Sequence, residues 1–390
     1  MSDQNPIFIP GPTNIPEAIR RACDIPTLDH RSTLFRDIFF PVLENIKRVL
    51  KTETGEAVIF PASGTGGWEA AICNTLSPGD VVLASDFGMF SRKWIDMCMR
   101  HGLEVRRADA DWGQGLPVEA FADVLRADHA HEIKAVLATH NETATGVRSD
   151  IASLRAALNE AKHPALLLVD GVSSIASMDF RMDEWGVDVA VTGSQKGFML
   201  PAGLAIVGVS PKAIAAMEHA RLPRFFFDFR DMLTMNPSAG YPYTPAVGLL
   251  NGLKASSEML LSEGLEQVFA RHKRLAEGVR RAVQAWELPI FAADPALYSD
   301  TVTAIALPQG IDGNALVAHA DETYGVSFGA GLGEVAGRVF RIGHLGKLTE
   351  VQALAGIATA EMALADFDVP IVPGAGVAAA QSYFRKSKGA

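Results

Sequence analysis

The sequence reads ALLLVDGVSS over residues 165–174 and VDVAVTGSQKGF over residues 187–198. Each stretch contains a short apolar run followed by small residues beside a charged side chain, Asp170 in the first and Lys196 in the second. Continuous apolar runs of this length are typical of strands buried on both faces of a parallel sheet. The spacing leaves room for one crossover helix and the second strand. We therefore expect both charged side chains to project from the same edge of one sheet.

The same alternation of apolar runs and amphipathic segments extends from about residue 56 to residue 209. It predicts an α/β fold with a mostly parallel seven-stranded sheet covered by helices on both faces. The predicted strands are 57–60, 80–84, 104–107, 135–139, 165–170, 187–192 and 204–207. The predicted helices between them are 66–75, 91–101, 117–127 and 150–161.

The flanking regions predict a three-part organisation. Four prolines within the first sixteen residues favour an extended N-terminal arm over residues 1–16. Residues 17–250 would form the large domain and residues 251–390 a smaller α+β domain. A helical pattern runs over about 246–286, where the domains meet. The smaller unit is expected to contain strands 301–307 and 339–342 and helices 314–324 and 350–365.

Composition excludes several classes of protein. The 390 residues carry 35 basic and 45 acidic side chains, a formal net charge of −10, which argues against a nucleic-acid-binding protein. Three cysteines share no spacing typical of a metal site or a disulfide framework. The start has no secretory signal pattern, and no apolar run approaches membrane-spanning length. We therefore expect a cytoplasmic protein with no metal and no membrane association.

Lys196 and Asp170 suggest a specific chemistry. A desolvated lysine has a lowered pKa and can form a Schiff base with a carbonyl. An aspartate beside it can keep a pyridine nitrogen protonated, and a pyridoxal phosphate site needs both groups. Considered singly, Lys196 could equally be a surface lysine at a strand end, and Asp170 a helix N-cap.

The segment PASGTGGWE, residues 61–69, follows a strand and opens a helix. Small residues and free N–H groups at a helix start favour a phosphate. The segment lacks the Lys-Ser/Thr pair of a P-loop and the third glycine of a dinucleotide fingerprint, as does Gly-Ala-Gly-Leu-Gly at 329–333. A dinucleotide enzyme is therefore disfavoured.

Taken in order, Ser-Gly-Thr-Gly (63–66), Val-Asp-Gly-Val-Ser-Ser (169–174), Gly-Ser-Gln-Lys-Gly (193–197) and Arg-Ile-Gly-His (341–344) resemble the class V branch of fold-type I pyridoxal-phosphate aminotransferases. The closest resemblance is to the serine/alanine/aspartate–glyoxylate group. Pro-Gly-Pro-Thr-Asn at 10–14 and Gly-Tyr-Pro-Tyr-Thr-Pro at 240–245 also match. The resemblance covers essentially the whole chain and implies pyridoxal 5′-phosphate as cofactor, small amino and oxo acids as substrates, and a homodimer with active sites at the subunit interface.

The resemblance also implies residue roles. Lys196 would be the Schiff-base lysine and proton shuttle, and Asp170 would pair with the ring nitrogen. The cofactor's ring would lie between Val172 and Phe90, a position where many relatives have Trp, and Thr143 would bond its hydroxyl. The phosphate would be held by Ser63, Gly64, Thr65 and Gln195, and by Tyr241 and Thr244 of the neighbouring subunit.

Arg341 would bind the substrate α-carboxylate through its bidentate guanidinium; read alone, it could be a surface ion pair. The amino donor stays open between serine, aspartate and alanine. Aspartate would require a second cation to pair its side-chain carboxylate, for which Arg31 or His344 could serve. The predicted reaction is a ping-pong transamination to glyoxylate, which forms glycine.

Rival functions remain. A cysteine desulfurase on the same fold needs a late cysteine nucleophile, and no cysteine follows Cys98. A β-lyase or aldolase would share the cofactor site and differ only in substrate contacts. A non-catalytic protein on this fold would be expected to lack Lys196 or Asp170, and the sequence has both.

Overall fold

The computed structural model describes residues 5–108 and 110–387. Its strands are β1 (Glu56–Phe60), β2 (Val81–Ala84), β3 (Glu104–Arg107), β4 (Ile133–Thr139), β5 (Asn141–Glu142), β6 (Val147–Arg148), β7 (Leu166–Asp170), β8 (Val189–Gly193), β9 (Ala205–Val209), β10 (Val302–Ala306), β11 (Gly329–Ala330) and β12 (Val339–Gly343). Its α-helices are α1 (Glu17–Cys23), α2 (Thr33–Leu50), α3 (Gly64–Thr75), α4 (Met89–Arg100), α5 (Val118–Ala127), α6 (Ile151–Glu160), α7 (Pro211–Ala216), α8 (Phe229–Met235), α9 (Val247–Glu263), α10 (Leu265–Ala285), α11 (Gly313–Tyr324), α12 (Glu350–Asp366) and α13 (Ala375–Lys386).

Seven strands form the central sheet in the order β1-β9-β8-β7-β4-β2-β3. β9 is antiparallel to both of its neighbours, β1 and β8, and the other four pairings are parallel. The reversal follows from the short connection between β8 and β9, because a parallel neighbour would need a longer crossover. The prediction of a mostly parallel seven-stranded sheet is confirmed, and the predicted elements of this region end within two residues of the observed ones.

The register of the parallel strands fixes the position of the polar segments that follow them. Thr139 of β4 lies beside Asp170 of β7, and Asp170 lies beside Val191 of β8. Because these strands end at nearly the same level, the residues after each of them share one edge of the sheet. This is the edge where open α/β sheets bind ligands.

The predicted single helix over residues 246–286 is wrong. Two helices, α9 and α10, occupy the segment and are separated by Gly264. Gly264 has a φ of +87°, a left-handed conformation that glycine adopts without steric penalty and that ends α9. Apolar residues continue on both sides of this glycine, so the hydrophobic pattern alone does not show the break.

A second, three-stranded antiparallel sheet has the order β10-β12-β11. β10, β12, α11 and α12 end within one residue of the predicted elements, and the two-residue strand β11 was not predicted. A reciprocal capping box between Thr349 and Gln352 begins α12. Phe340, Ile357 and Trp286 belong to a hydrophobic cluster separate from that of the large sheet. These features agree with a C-terminal α+β unit, and the boundary near residue 250 stays a prediction.

The part of the N-terminal arm that the structure describes, residues 5–16, contains no helix. Phe8 stacks on Phe328 with ring centroids 6.0 Å apart, and its carbonyl accepts a hydrogen bond from the Gly343 N–H. Further along, the Thr13 N–H donates to the Gln195 carbonyl at 3.2 Å. The arm therefore links the second sheet to the segment that follows β8. No helix in the described part of the chain is long and apolar enough to cross a membrane.

Candidate active site

A pocket of about 230 Å³ opens at the carboxyl edge of the central sheet. It is enclosed by the ends of β7 and β8, the start of α3, the first turn of α4 and the N-terminal arm. The lining residues are Gly11, Pro12, Ser63, Gly64, Thr65, Trp68, Phe90, Thr143, Asp170, Val172, Ser173, Gln195, Lys196 and Ala202. Nine of the sequence-predicted site residues are in this set. Arg341, Tyr241 and Thr244 are not.

Lys196 follows β8 in a tight turn, in which the Met199 N–H donates to the Lys196 carbonyl. Its ammonium donates to the Pro10 carbonyl of the arm. Burial, and next the positive charge of Arg341, lower the pKa of Lys196 to about 8, while Asp170 opposes the shift. A considerable fraction of this amine is therefore neutral at slightly alkaline pH, the form in which a lysine is a nucleophile.

Asp170 ends β7 and is 3% exposed. Its Oδ1 accepts a hydrogen bond from the Val172 N–H at 2.9 Å. Burial raises the pKa of Asp170 to about 7, and the charge of Glu142 adds to the rise, while Val172, Trp68 and Lys196 oppose it. A cationic hydrogen-bond donor placed in the pocket would restore the carboxylate form.

The start of α3 forms the other end of the pocket. Ser63 is the N-cap residue, and its side chain makes no capping hydrogen bond. The N–H groups of Gly64 and Thr65 have no partner within the helix, so this end favours an anion. A Cβ at Gly64 would lie 2.5 Å from Cγ2 of Val172, so only glycine fits there. The buried Oε1 of Gln195 accepts no hydrogen bond from the part of the chain that the structure describes.

Phe90 and Val172 supply apolar walls, and Thr143 lies at the pocket with its hydroxyl donating to Ser173 Oγ at 2.8 Å. Phe90 lies edge-on to Trp68, with ring centroids 6.5 Å apart. The indole of Trp68 was not singled out from the sequence, because an aromatic residue in an apolar helix is typical of a protein core.

Arg341 lies in β12, behind the pocket wall. Its Nη1 donates to the Thr143 carbonyl at 2.9 Å and its Nε to the Ala330 carbonyl at 2.9 Å. Burial lowers the pKa of Arg341 to about 10, and Glu142 opposes the shift. The guanidinium is therefore adjacent to a pocket residue without lining the pocket itself, and its role with substrate stays a prediction.

Tyr241 and Thr244 lie away from the pocket of their own chain. Tyr241 is buried against Phe35 and Phe39, and its hydroxyl donates to the Ile59 carbonyl at 2.8 Å. Thr244 is exposed. Their contribution to the phosphate site of a neighbouring subunit stays a prediction. Because the Tyr241 hydroxyl already donates its proton to the Ile59 carbonyl, only its oxygen lone pairs would be free.

His344 and Arg31, the candidate second cations, do not line the pocket either. Burial lowers the pKa of His344 to about 3, and its ring bonds the Thr303 hydroxyl and the Asp300 carbonyl, so it is neutral. Arg31 is exposed. Within this chain, neither side chain pairs a second substrate carboxylate at the pocket.

Comparisons with known proteins agree with this site. The chain matches the family described as aminotransferase class-V over residues 25–340. The L-aspartate–glyoxylate aminotransferase of Paracoccus denitrificans is 65% identical, and the match covers 100% of this chain and 98% of that protein. The serine–glyoxylate aminotransferase of Hyphomicrobium methylovorum is 56% identical, over 98% and 95%. The structure of pyridoxamine-pyruvate aminotransferase from Mesorhizobium loti superposes with a TM-score of 0.92 at 29% identity, over 99% of both chains. With the fold-type I architecture, these similarities place the chain in the class-V aminotransferase family.

Proposed function

We propose that this protein transfers the amino group of a small L-amino acid, L-serine or L-aspartate, to glyoxylate, forming glycine, with pyridoxal 5′-phosphate as cofactor. The observation that carries the proposal is that Lys196, Asp170 and the amino end of α3 meet around one pocket. The glyoxylate specificity is supported by two relatives of high identity, one named for aspartate and one for serine.

The residues of the pocket fit pyridoxal phosphate. Among the residues that the structure describes, no cationic side chain donates a hydrogen bond to the buried acid Asp170, and a pyridinium N–H would supply such a donor. At the opposite end, the unpaired amides of Gly64 and Thr65 suit a phosphate, and the cradle leaves no room for a Cβ at Gly64. When bound, the cofactor supplies an aldehyde carbon and a protonated ring that accepts an electron pair from the substrate carbon.

The chain's own residues divide the remaining work. The Lys196 amine would hold the cofactor, and as a free base it would take the substrate α-proton and return a proton. Asp170 would pair with the ring nitrogen, and Val172 and Phe90 would provide apolar walls for the ring. Arg341 binds the substrate α-carboxylate through guanidinium N–H groups other than the one that donates to the Thr143 carbonyl.

The proposal includes a homodimer. Phe225 is 90% exposed and Phe226 is 40% exposed, an unusual exposure for aromatic side chains in a folded chain. Phe226 stacks on Tyr243, with centroids 4.2 Å apart, next to the segment that contains Thr244. A second copy covering this surface would bring Thr244 near an active site.

The test combines a cofactor assay with a donor screen. The purified protein is expected to be yellow, and Lys196→Ala to lose both the colour and the turnover. Serine, aspartate and alanine are then compared by kcat/KM with glyoxylate as acceptor, with the oxo acid and glycine measured together. Equimolar products support transamination. A β-lyase would release ammonia with its product and form no glycine, whereas an aldolase would cleave serine to glycine and formaldehyde without consuming glyoxylate or forming the oxo acid. A colourless protein that pyridoxal phosphate does not tint would refute the assignment.

A further inference from the structure

Glu142 is a fully buried carboxylate to which the function proposed above gives no task. It ends β5, three residues beyond the end of β4. Its Oε2 accepts hydrogen bonds from the N–H groups of Phe90 and Ser91, both at 3.0 Å, and its Oε1 accepts one from the Ala144 N–H at 3.0 Å. Three backbone donors therefore converge on one side chain.

Two of these donors belong to the first turn of α4. A carboxylate at a helix N-terminus satisfies orphan N–H groups and interacts favourably with the helix dipole. Phe90 is the residue of this turn whose ring lines the pocket. The Glu142 side chain packs directly against the backbone of Gly88, because a Cβ at Gly88 would lie 2.1 Å from Cγ of Glu142. The position of the Phe90 wall thus depends on where Glu142 lies.

The other contacts of this segment lead to Arg341. Arg341 donates to the carbonyl of Thr143, the residue after Glu142. Burial raises the pKa of Glu142, while the three backbone hydrogen bonds and the positive charge of Arg341 oppose the rise. Glu142 therefore lies between an apolar wall for the cofactor's ring and the guanidinium assigned to the substrate.

We propose that Glu142 is a positioning residue, whose carboxylate holds the first turn of α4 and the Thr143–Arg341 contact in fixed relation around the pocket. This inference rests on the proposed function. A glutamine could not replace the carboxylate, because its NH2 group would face a backbone N–H at one of the two ends. Either the Ala144 N–H or both the Phe90 and Ser91 N–H groups would lose their partner.

The test is Glu142→Gln, with three measurements. In the cofactor-free chain, hydrogen exchange of the Phe90 and Ser91 or the Ala144 amides should speed up. The Kd for pyridoxal phosphate, measured by fluorescence quenching, should rise about tenfold, the scale of one lost hydrogen bond to a charged group. In the loaded enzyme, the donor KM should rise about tenfold, with kcat changed less than threefold.

The chain offers a matched control in Glu361. This buried glutamate of α12 also accepts several N–H hydrogen bonds, from the Trp286 indole and from the backbone of Gly374 and Gly376, but it faces the start of α13 in the C-terminal part of the chain. Glu361→Gln should lower thermal stability by about as much as Glu142→Gln does. It should leave the Kd for pyridoxal phosphate within twofold of the value for the unmodified chain.

A second variant acts on the same carboxylate without changing it. Gly88 has an extended backbone, so Gly88→Ala strains only the contact with Glu142 and should reproduce the higher Kd. It also serves if Glu142→Gln does not fold. The proposal would be overturned if Glu142→Gln and Glu361→Gln raised the Kd for pyridoxal phosphate equally. It would also be overturned if either Glu142→Gln or Gly88→Ala left that Kd unchanged. A parent chain that binds no pyridoxal phosphate would instead refute the proposed function.

Discussion

Asp170 and Lys196 lie in one pocket, and burial shifts their pKa values in opposite directions. The pKa of the acid rises to about 7 and that of the base falls to about 8, because a low-dielectric site disfavours whichever form is charged. Both pKa values therefore lie close to neutral pH. A ring cation would stabilise the charged form of the acid, and a carbonyl carbon would react with the neutral form of the amine. Such a site lowers the folding stability of the cofactor-free chain and raises its affinity for the cofactor.

Asp170→Asn should therefore stabilise the cofactor-free chain. Because the folded-state pKa of Asp170 is raised above its ordinary value, the folded chain binds more protons than the unfolded chain between about pH 4 and pH 7, and stability falls as the pH rises through that window. The increase in the free energy of unfolding caused by Asp170→Asn should be about 2 kcal/mol larger at pH 8 than at pH 5. Urea unfolding of both proteins at the two pH values measures it.

The same variant should lose the cofactor, since a neutral amide cannot pair with a ring cation. Asn keeps the acceptor for the Val172 N–H, so the fold is preserved. A variant that is less stable than the parent at pH 8, or that gains nothing relative to pH 5, would contradict the raised pKa of Asp170.

At this scale the sequence was informative wherever a polar residue ends a buried strand or opens a helix. Asp170, Lys196 and Ser63 were found for that reason, and the structure brings them to one pocket. Trp68 and Glu142 were missed. Trp68 resembles core, and the partners of Glu142 are backbone N–H groups of a distant segment, which no residue pattern displays.

At the scale of elements, the N-terminal arm acts as a wall of the site. Gly11 has a φ of +101°, and a Cβ there would lie 2.4–2.7 Å from the end of the Lys196 side chain. Gly11→Ala should therefore displace the lysine amine and slow the covalent attachment of pyridoxal phosphate by tenfold or more. The rate is read from the growth of absorbance after the cofactor is mixed with the cofactor-free chain.

Gly310→Ala is the matched control, because Gly310 has a similar φ of +96° and open space around its Cβ position. Both variants carry the same backbone strain, about 1 kcal/mol. If both slow the attachment equally, strain and not the contact with Lys196 is responsible, and the arm has no part in the site.

The predicted strands of both sheets and the predicted helices of the large sheet agree with the observed ones to within a few residues, because period and composition change at their boundaries. The helices α1, α2, α8 and α13 and the two-residue strands β5, β6 and β11 were not predicted. The exceptions have local physical causes. Gly264 breaks a helix whose apolar pattern continues on both sides. The direction of β9 depends on the length of the connection after β8, and the arm's contact with Lys196 depends on long-range packing of Phe8 on Phe328.

At the scale of the whole molecule, two sheets with separate hydrophobic clusters meet along α9, α10 and the arm. Sequence patterns predict a large and a small domain, because one region alternates strands and helices and the other contains few strands, and the boundary between them stays a prediction. The surface where a second copy would dock was expected only from the family resemblance. In the structure it coincides with exposed aromatic side chains, which supports the homodimer proposed above.

Phe225→Asp should therefore convert the dimer into monomers. Because Phe225 is 90% exposed in the single chain, the charge should leave the folded monomer intact and oppose only the burial of this surface against a second copy. Val351→Asp is the control, since Val351 is 76% exposed on α12, on the C-terminal unit. Sedimentation velocity should show a monomer for the first variant and a dimer for the second. If Thr244 completes the neighbouring subunit's site, the monomer should also bind pyridoxal phosphate more weakly, whereas a Phe225→Asp protein that remains dimeric would place the interface elsewhere.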